Sequence, residues 1–250
     1  MPLHVRAVNT AAESENKIHD DAIAAQYGFR GGLVPGVTVY GYLAQAVLDH
    51  LGDKWLTQGA MDVRFHQPVY HGEEIEVTTE PESSHRVRVD IAGRASGLAW
   101  IHEASHEPPP LVAEVPMGDR RYPSEGTLAK GVVLGSLAVT LDLVQARMSA
   151  PLDAAVGPER FAHPAILLAL ANEIFVKNYS LGPWIHSASE VRKYSAARDG
   201  ESIRVKAVVE DRFERKAHQL VVLNVLIESA EGRAIEFVRH TAIWRPRANN

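Results

Sequence analysis

The hydrophobic and polar positions of this chain follow two kinds of pattern, and each pattern occurs twice. Apolar residues at helical spacing predict a largely buried helix at 37–51 and another at 164–177, where Pro164 suits the first turn. Alternating or nearly continuous apolar segments follow each helix and are typical of strands. They predict strands near 60–65, 74–79, 86–92 and 98–102 after the first helix, and near 187–194, 202–211, 218–229 and 234–244 after the second.

The two halves of the chain also share residues at one constant offset. Val63 aligns with Val191, and Glu73 aligns with Glu201. The matches continue through helix, turn and strand, which predicts an internal duplication. We therefore expect an α+β fold of two tandem repeats, each with an antiparallel sheet around a long central helix. One such repeat leaves its helix and its sheet edges poorly covered, so the two should pack together.

The duplication predicts the domain boundaries. We expect an N-terminal repeat at 1–105, a connector at 106–130 and a C-terminal repeat at 131–250. The connector contains three successive prolines, Pro108 to Pro110, which favour a stiff extended segment outside a sheet interior.

Composition argues against several classes of function. The formal net charge is −5 and the cations form no basic stripe, which argues against nucleic acid as a partner. The chain has no cysteine, which excludes disulfides and thiolate chemistry and fits a reducing compartment. No segment has the pattern of a signal peptide or a membrane span, so we expect a cytoplasmic protein. No spacing indicates a metal site or a glycine-rich phosphate loop.

The residues that point to chemistry precede the first long helix. Asn16 and His19 are followed by Gly36, which opens that helix. A histidine carries protons near neutral pH, and the amides at a helix N-terminus stabilise negative charge. His19 is therefore the candidate general acid/base, and Asn16 the candidate for orienting a water or a carbonyl. The N–H of Gly36 is a candidate donor to an oxyanion.

These residues carry a resemblance to a known family. The matching positions are Asn16, Ile18, His19, Gly28, Phe29 and Gly36. They resemble the hydratase motif of the MaoC-like, (R)-specific enoyl-CoA hydratases, approximately Gly-Asp-x-Asn-Pro-(Ile/Leu)-His, then Gly-Phe, then His-Gly at the central helix. Further similarity covers nearly the whole chain. The resemblance implies a double hot-dog fold and a hydro-lyase that acts on enoyl or 3-hydroxyacyl thioesters without a cofactor or metal.

Three positions depart from the family motif. Ser14 stands where the family has its catalytic Asp, Lys17 replaces a proline, and Pro35 replaces the histidine of the His-Gly turn. Ser14 can hydrogen-bond a water but cannot act as a carboxylate. Glu15 is the alternative carboxylate, provided that a modest backbone shift turns it inward.

Three functions stay open on the sequence. The first is hydration or dehydration of an acyl thioester, with His19 as acid/base and the Gly36 amide as oxyanion donor. The second is thioester hydrolysis on the same fold, with Ser14 or Glu15 holding the water. The third is a non-catalytic protein that binds acyl thioesters, which the missing Asp favours.

The role of the C-terminal repeat and the identity of the ligand are less defined. The C-terminal repeat is expected to be structural and to shape the acyl pocket, and His163 to pack at the start of its helix or to enter that pocket. The carrier of the acyl group is coenzyme A or a carrier protein. Arg30, Lys54 and Arg64 are the candidates for its phosphates. Monomers, homodimers and larger homo-oligomers are all compatible with the sequence.

Overall fold

The computed structural model describes residues 2–102, 109–146 and 148–247. The helices in these residues are α1 (Asp21–Gln26), α2 (Gly36–Leu51), α3 (Trp55–Gln58) and α4 (Pro164–Asn178), and Lys17–His19 form one turn of 3-10 helix. Both long helices, α2 and α4, begin and end within one residue of the predicted bounds.

The strands belong to a large antiparallel sheet and a small separate ribbon. Within the described residues they are β1 (Leu3–Arg6), β2 (Gly59–Phe65), β3 (Glu74–Ser83), β4 (Arg86–Ile91), β5 (Ala95–Ile101), β6 (Leu137–Thr140), β7 (Ala155–Val156), β8 (Phe161–Ala162), β9 (Ile185–Lys193), β10 (Ser202–Arg215), β11 (His218–Ser229) and β12 (Ala234–Arg245). The main sheet has the order β1-β3-β4-β5-β2-β9-β12-β11-β10-β6, and β7 pairs only with β8. The prediction of an α+β fold with an antiparallel sheet is confirmed.

The strand order shows the duplication directly. Read outward from the centre, the first half of the sheet runs β2, β5, β4, β3, β1 and the second half runs β9, β12, β11, β10, β6. The halves meet where β2 pairs with β9, and Asp62 lies opposite Glu190 in that pairing. These two residues also match each other in the alignment of the two repeats. The centre of the sheet is therefore a local two-fold axis that relates the repeats.

The core lies between the sheet and the two long helices. Helix α2 packs against β3, β4 and β5 and also against α4, which itself packs against β10 and β12. Tyr40, Leu43, Ala44 and Val47 of α2 have no exposed surface. This packing explains why α2 is apolar over most of its circumference.

The sequence analysis did not predict two short strands of the main sheet or the two-residue strands β7 and β8. β1 and β6 have four residues each, and polar or exposed positions interrupt them, so neither contains enough residues to show a strand period. Both form the edges of the main sheet. β10 is longer than predicted and extends to Arg215, where its hairpin with β11 continues beyond the core.

The predicted connector is described only from residue 109, and Pro108 lies outside the described residues. Its described part forms none of the helices or strands named above, but Val112 and Leu128 are buried against the remainder of the protein. The Arg121 amide donates to the carbonyl of Asn178 at 2.9 Å, which docks the connector at the end of α4. None of the helices in the described residues is long and apolar enough to cross a membrane.

The interior contains a charged pair, Lys193 of β9 with Glu236 of β12, and both side chains are almost fully buried. Lys193 Nζ also lies 5.1 Å from the ring centre of Trp55. Burial raises the pKa of Glu236, and the neighbouring Lys193 opposes this effect. Removal of either side chain leaves the charge of the other without a counter-charge in an apolar interior.

We predict that Lys193→Met destabilises the protein by about 3–5 kcal/mol, because Glu236 is then buried without a counter-charge. The double variant Lys193→Met/Glu236→Leu should regain most of that loss. Arg88→Met is the control, since it breaks an exposed pair with Glu82 and should cost less than about 1 kcal/mol. Urea unfolding measures all three variants, and a Lys193→Met variant no less stable than the control would contradict the prediction.

Candidate active site

A cavity of about 230 Å³ lies between the two repeats, at the start of α2. Its walls are mainly apolar and include Ile18, Phe29, Leu33, Val39, Phe65 and Trp184. Its polar lining includes Asn16, His19, Asn172, His186 and Ser187. Among the described residues that line it, none is Asp or Glu. The cavity can therefore hold an apolar group beside a few neutral polar groups.

Local structure fixes the segment that carries Asn16 and His19. Asn16 caps the 3-10 helix, and its Oδ1 accepts a hydrogen bond from the Ile18 amide at 3.4 Å. Ile18 is buried and anchors the turn. Gly32 packs on the carbonyl of His19 so closely that a Cβ at Gly32 would lie 2.0 Å from that oxygen. Only glycine permits this approach, which holds the His19 backbone in place.

Asn16 links the N-terminal segment to the C-terminal repeat. Its Oδ1 accepts from the Trp184 amide at 3.1 Å, and its Nδ2 donates to the Trp184 carbonyl at 2.9 Å. These two contacts determine which end of the side-chain amide is oxygen and which is nitrogen. The Nδ2 group also lies 3.3 Å from Nε2 of His19.

The hydrogen bonds around His19 define its tautomer. Nδ1 lies 2.7 Å from the carbonyl oxygen of Leu33, which can only accept, so Nδ1 carries the proton. Nε2 faces the donating Nδ2 of Asn16 and therefore carries the lone pair. Burial lowers the pKa of His19 below its ordinary value of 6.5, and the bond to Leu33 partly opposes this. His19 is thus a neutral imidazole at pH 7 with a basic Nε2.

Gly36 is the first residue of α2, so its amide has no partner within the helix. No described residue outside the helix accepts a hydrogen bond from it either. A Cβ at this position would lie 2.9 Å from Cβ and from Nδ1 of His186, which is closer than van der Waals contact allows. Glycine therefore lets β9 approach the start of α2, with the amide in the wall of the cavity.

The structure brings together three of the five predicted site residues, Asn16, His19 and Gly36. Ser14 lies outside the cavity lining, and its Oγ donates to the carbonyl of Asn16 at 3.4 Å. Glu15 also lies outside it, because its largely exposed carboxylate pairs with Arg120 at 2.9 Å. Neither side chain reaches the cavity in this conformation.

The N-terminal part of the chain matches a known protein family. Residues 13–98 match the family model described as "MaoC like domain". The matched segment contains Asn16, His19 and Gly36. Residues 13–98 are therefore similar to a MaoC-like domain. The family resemblance read from the motif is confirmed.

Solved structures resemble both halves of the chain together. Rv0216 from Mycobacterium tuberculosis, described as having a double hotdog fold, gives a TM-score of 0.61 at 15% identity and covers 97% of this chain and 95% of its own. A protein described as a MaoC-like dehydratase gives 0.55 at 14% identity, with 96% of each chain covered. An N-terminal dehydratase from the difficidin assembly line gives 0.55 at 14% identity, with 99% and 93% covered. At these identities the similarity shows the fold, a double hot-dog. A comparison with curated protein sequences found no match.

The cavity is also lined by residues that sequence reasoning missed, and several polar ones come from the C-terminal repeat. Asn172 of α4 lines the cavity, and its Oδ1 is buried with no donor among the described residues. Trp184 Nε1 and His186 Nδ1 are likewise buried without a described partner. A lone Asn in an apolar helix gives no sequence signal, so only its position in the fold reveals it.

His163 lies outside this lining. Its Nδ1 accepts a hydrogen bond from the Ala165 amide at 3.2 Å, so it caps α4. Burial, and to a lesser extent the charge of Lys193, lowers the pKa of His163 to about 3. Of the two roles expected for His163, the structure places it at the helix terminus.

The cavity contains no group of His, Cys, Asp or Glu residues that could hold a metal ion within the described residues. The groups that its lining offers to a ligand include the imidazole of His19, the amide of Gly36 and the unpaired Oδ1 of Asn172.

We predict that Asn172→Leu raises the free energy of unfolding by about 1–2 kcal/mol, because it removes a buried acceptor that has no described donor. Leucine has a similar volume and should not open a new cavity. Asn178→Leu is the matched control on the same helix. Its amide donates to the Gly135 and Ile174 carbonyls at 2.9 and 2.8 Å, so its replacement should destabilise. Urea unfolding measures both variants, and an equal decrease in the free energy of unfolding for the two would contradict the prediction.

Proposed function

We propose that this protein is a hydratase/dehydratase that interconverts an enoyl thioester and a 3-hydroxyacyl thioester. The observation that carries the proposal is that His19, with its lone pair on Nε2, and Gly36, with an unpaired amide, line the same mainly apolar cavity. Addition of water to the double bond of an enoyl thioester needs a base and an oxyanion donor, and this cavity contains a candidate for each.

His19 is proposed as the general base. Its Nδ1 proton is held by the Leu33 carbonyl, so Nε2 alone can exchange a proton with a ligand. The hydrogen bond from Asn16 to Nε2 is long, 3.3 Å, and a water that binds Nε2 can replace it. Burial keeps His19 neutral at pH 7, which is the form that accepts a proton.

The Gly36 amide is proposed as the oxyanion donor. Addition of water to C3 moves negative charge to C2 and to the thioester oxygen. An unpaired amide at the first position of α2 can donate to that oxygen, and the helix dipole adds a favourable field. Pro35 has no N–H and fixes the approach to the helix.

The proposed reaction needs one proton carrier. The water oxygen bonds to C3 as the C2–C3 π bond breaks, and the proton of the water passes to His19 Nε2. His19 then returns that proton to C2, so the base regains its starting state. Because no described residue of the cavity lining is a carboxylate, His19 performs both transfers, and Asn16 keeps its ring oriented.

A non-catalytic thioester-binding protein is the second candidate. The absence of Asp and Glu from the described cavity lining supports it, since loss of one acid/base partner costs about 10²–10⁴ in rate. Neither Ser14 nor Glu15 reaches the cavity to replace that partner.

Incubation with crotonyl-CoA and with a crotonyl thioester of a carrier protein separates these functions. Loss of the ultraviolet absorbance of the conjugated enoyl group, with formation of the 3-hydroxyacyl product, supports hydration. Release of free thiol identifies hydrolysis instead. An increase in Tm with the thioester but without turnover identifies the binding protein.

We predict that His19→Gln lowers hydration kcat/KM by about 10²–10⁴, because glutamine cannot carry the proton. His50→Gln is the matched control, since His50 is an exposed residue near the end of α2 and should leave the rate unchanged.

The wild-type rate should also report the His19 pKa. The reactive form has an unprotonated Nε2, and burial lowers the pKa below 6.5, so the acid limb of kcat/KM should have its midpoint below pH 6.5. An acid limb with a midpoint at or above 6.5, or full activity of His19→Gln, would contradict the assignment.

A further inference from the structure

Two histidines and a serine form a buried polar cluster that begins at the wall of the candidate active site. Ser189 Oγ lies 2.8 Å from Nε2 of His186 and 3.2 Å from Nδ1 of His240. Ser189 of β9 lies directly opposite His240 of β12 in the strand pairing. All three residues are buried, and His186 lines the cavity. The proposed reaction has so far used none of this His–Ser–His cluster.

The ring of His186 is held between two other rings. Its centre lies 4.3 Å from that of His240 and 4.7 Å from that of Phe65, which meets it edge to face. Gly36 closes a third side, since a Cβ at Gly36 would lie 2.9 Å from Nδ1 of His186. Nδ1 of His186 therefore lies beside the first residue of α2, whose amide is the proposed oxyanion donor.

Both histidines of the cluster are neutral at pH 7. Burial, and then the neighbouring His240, lowers the pKa of His186 well below its ordinary value, and the nearby carbonyl of Ala188 partly opposes this. Burial lowers the pKa of His240 to about 3. Each ring therefore carries one proton, and its other nitrogen has a lone pair.

The single proton of the Ser189 hydroxyl links the two tautomers, because the hydroxyl donates to one imidazole and accepts from the other. If Ser189 donates to His240, the proton of His240 lies on Nε2, which is buried with no described acceptor. If Ser189 donates to His186, the proton of His186 lies on Nδ1. This nitrogen also has no described partner, but it belongs to the cavity wall, where a ligand oxygen can accept from it. Since a buried N–H without an acceptor is costly, the second arrangement is favoured.

We propose that the Nδ1–H group of His186 is a second donor to the thioester oxygen, beside the Gly36 amide, and that Ser189 and His240 position this proton. The proposal rests on the proposed function, in which negative charge develops on that oxygen. Two donors that are fixed before the ligand binds stabilise the charge without reorganisation. A neutral imidazole can donate in this way and keep its proton, so the proton transfers remain with His19.

Binding of an acetoacetyl thioester tests the donor without turnover, because its enolate carries negative charge on the thioester oxygen and has its own ultraviolet band. We expect the wild type to raise the ratio of enolate to keto form of acetoacetyl-CoA or acetoacetyl-pantetheine at pH 7. His186→Leu should lower the ratio in the bound ligand by about 10- to 100-fold, since a hydrogen bond to a charged group is lost. His186→Asn is the matched variant of similar size. Its Nδ2 can take the place of the imidazole Nδ1, so it should retain most of the effect.

Nitrogen NMR of the labelled imidazoles tests the positioning by the cluster. In the wild type we expect the proton of His186 on Nδ1. Ser189→Ala removes the hydroxyl that donates to Nε2, so part of the His186 population should move its proton to Nε2, and the enolate ratio should fall. Ser96→Ala is the matched control, because the Ser96 hydroxyl lies 2.8 Å from Nε2 of His66 and is not part of the cluster. It should leave the His186 tautomer and the enolate ratio unchanged.

The outcomes separate this inference from the proposed function. A wild-type His186 with its proton on Nε2 overturns the inference, and this result does not depend on whether any variant folds. No rise in the enolate ratio with either thioester, or equal losses in His186→Leu and His186→Asn, also overturns it. If the wild type hydrates an enoyl thioester in any of these cases, the proposed function stands. Enolate stabilisation that His186→Leu loses and His186→Asn retains, without hydration of any enoyl thioester, supports the second donor and contradicts the proposed function.

Discussion

Strands β2 and β9 pair antiparallel at the centre of the sheet, and the remainder of the molecule is arranged around that pairing. It covers one edge of each half-sheet, which would otherwise expose unpaired backbone groups. Because the pairing is centred on Asp62 and Glu190, it also brings the start of α2 beside the first residues of β9. The candidate active site exists only where the two repeats meet, so the C-terminal repeat shapes its chemistry as well as supporting it.

The contact between Asn16 and the backbone of Trp184 connects the C-terminal repeat to His19. A side-chain amide that both accepts from and donates to one residue can adopt a single orientation, and this orientation presents Nδ2 to His19. The Leu33 carbonyl fixes the other ring nitrogen. A histidine that would rotate freely on an isolated segment therefore becomes a base with one defined tautomer. Because no described residue of the cavity lining is a carboxylate, this positioning is the main reason to propose catalysis at the site.

The sequence predicted the elements with long, regular patterns and missed features that depend on tertiary contacts. Helices α2 and α4 extend over several turns, so the helical spacing of their buried residues is visible in the sequence. Strand β11 is long and apolar, and its bounds were predicted correctly. The edge strands β1 and β6 are too short to show a period. His19 could be selected because its spacing from Asn16 and Gly36 matches a motif. Asn172 could not, because its significance depends on the cavity that α4 borders.

The protonation state of His19 is the most direct test of this account, and nitrogen NMR of the labelled imidazole measures it. At pH 7 the account predicts a neutral ring with the proton on Nδ1. It also predicts that Asn16→Leu leaves the proton on Nδ1, because the Leu33 carbonyl still accepts it, but shifts the Nε2 resonance, because the hydrogen bond from Asn16 is lost. A charged imidazolium at pH 7, or a neutral ring with the proton on Nε2, would contradict the assignment of His19 as a base.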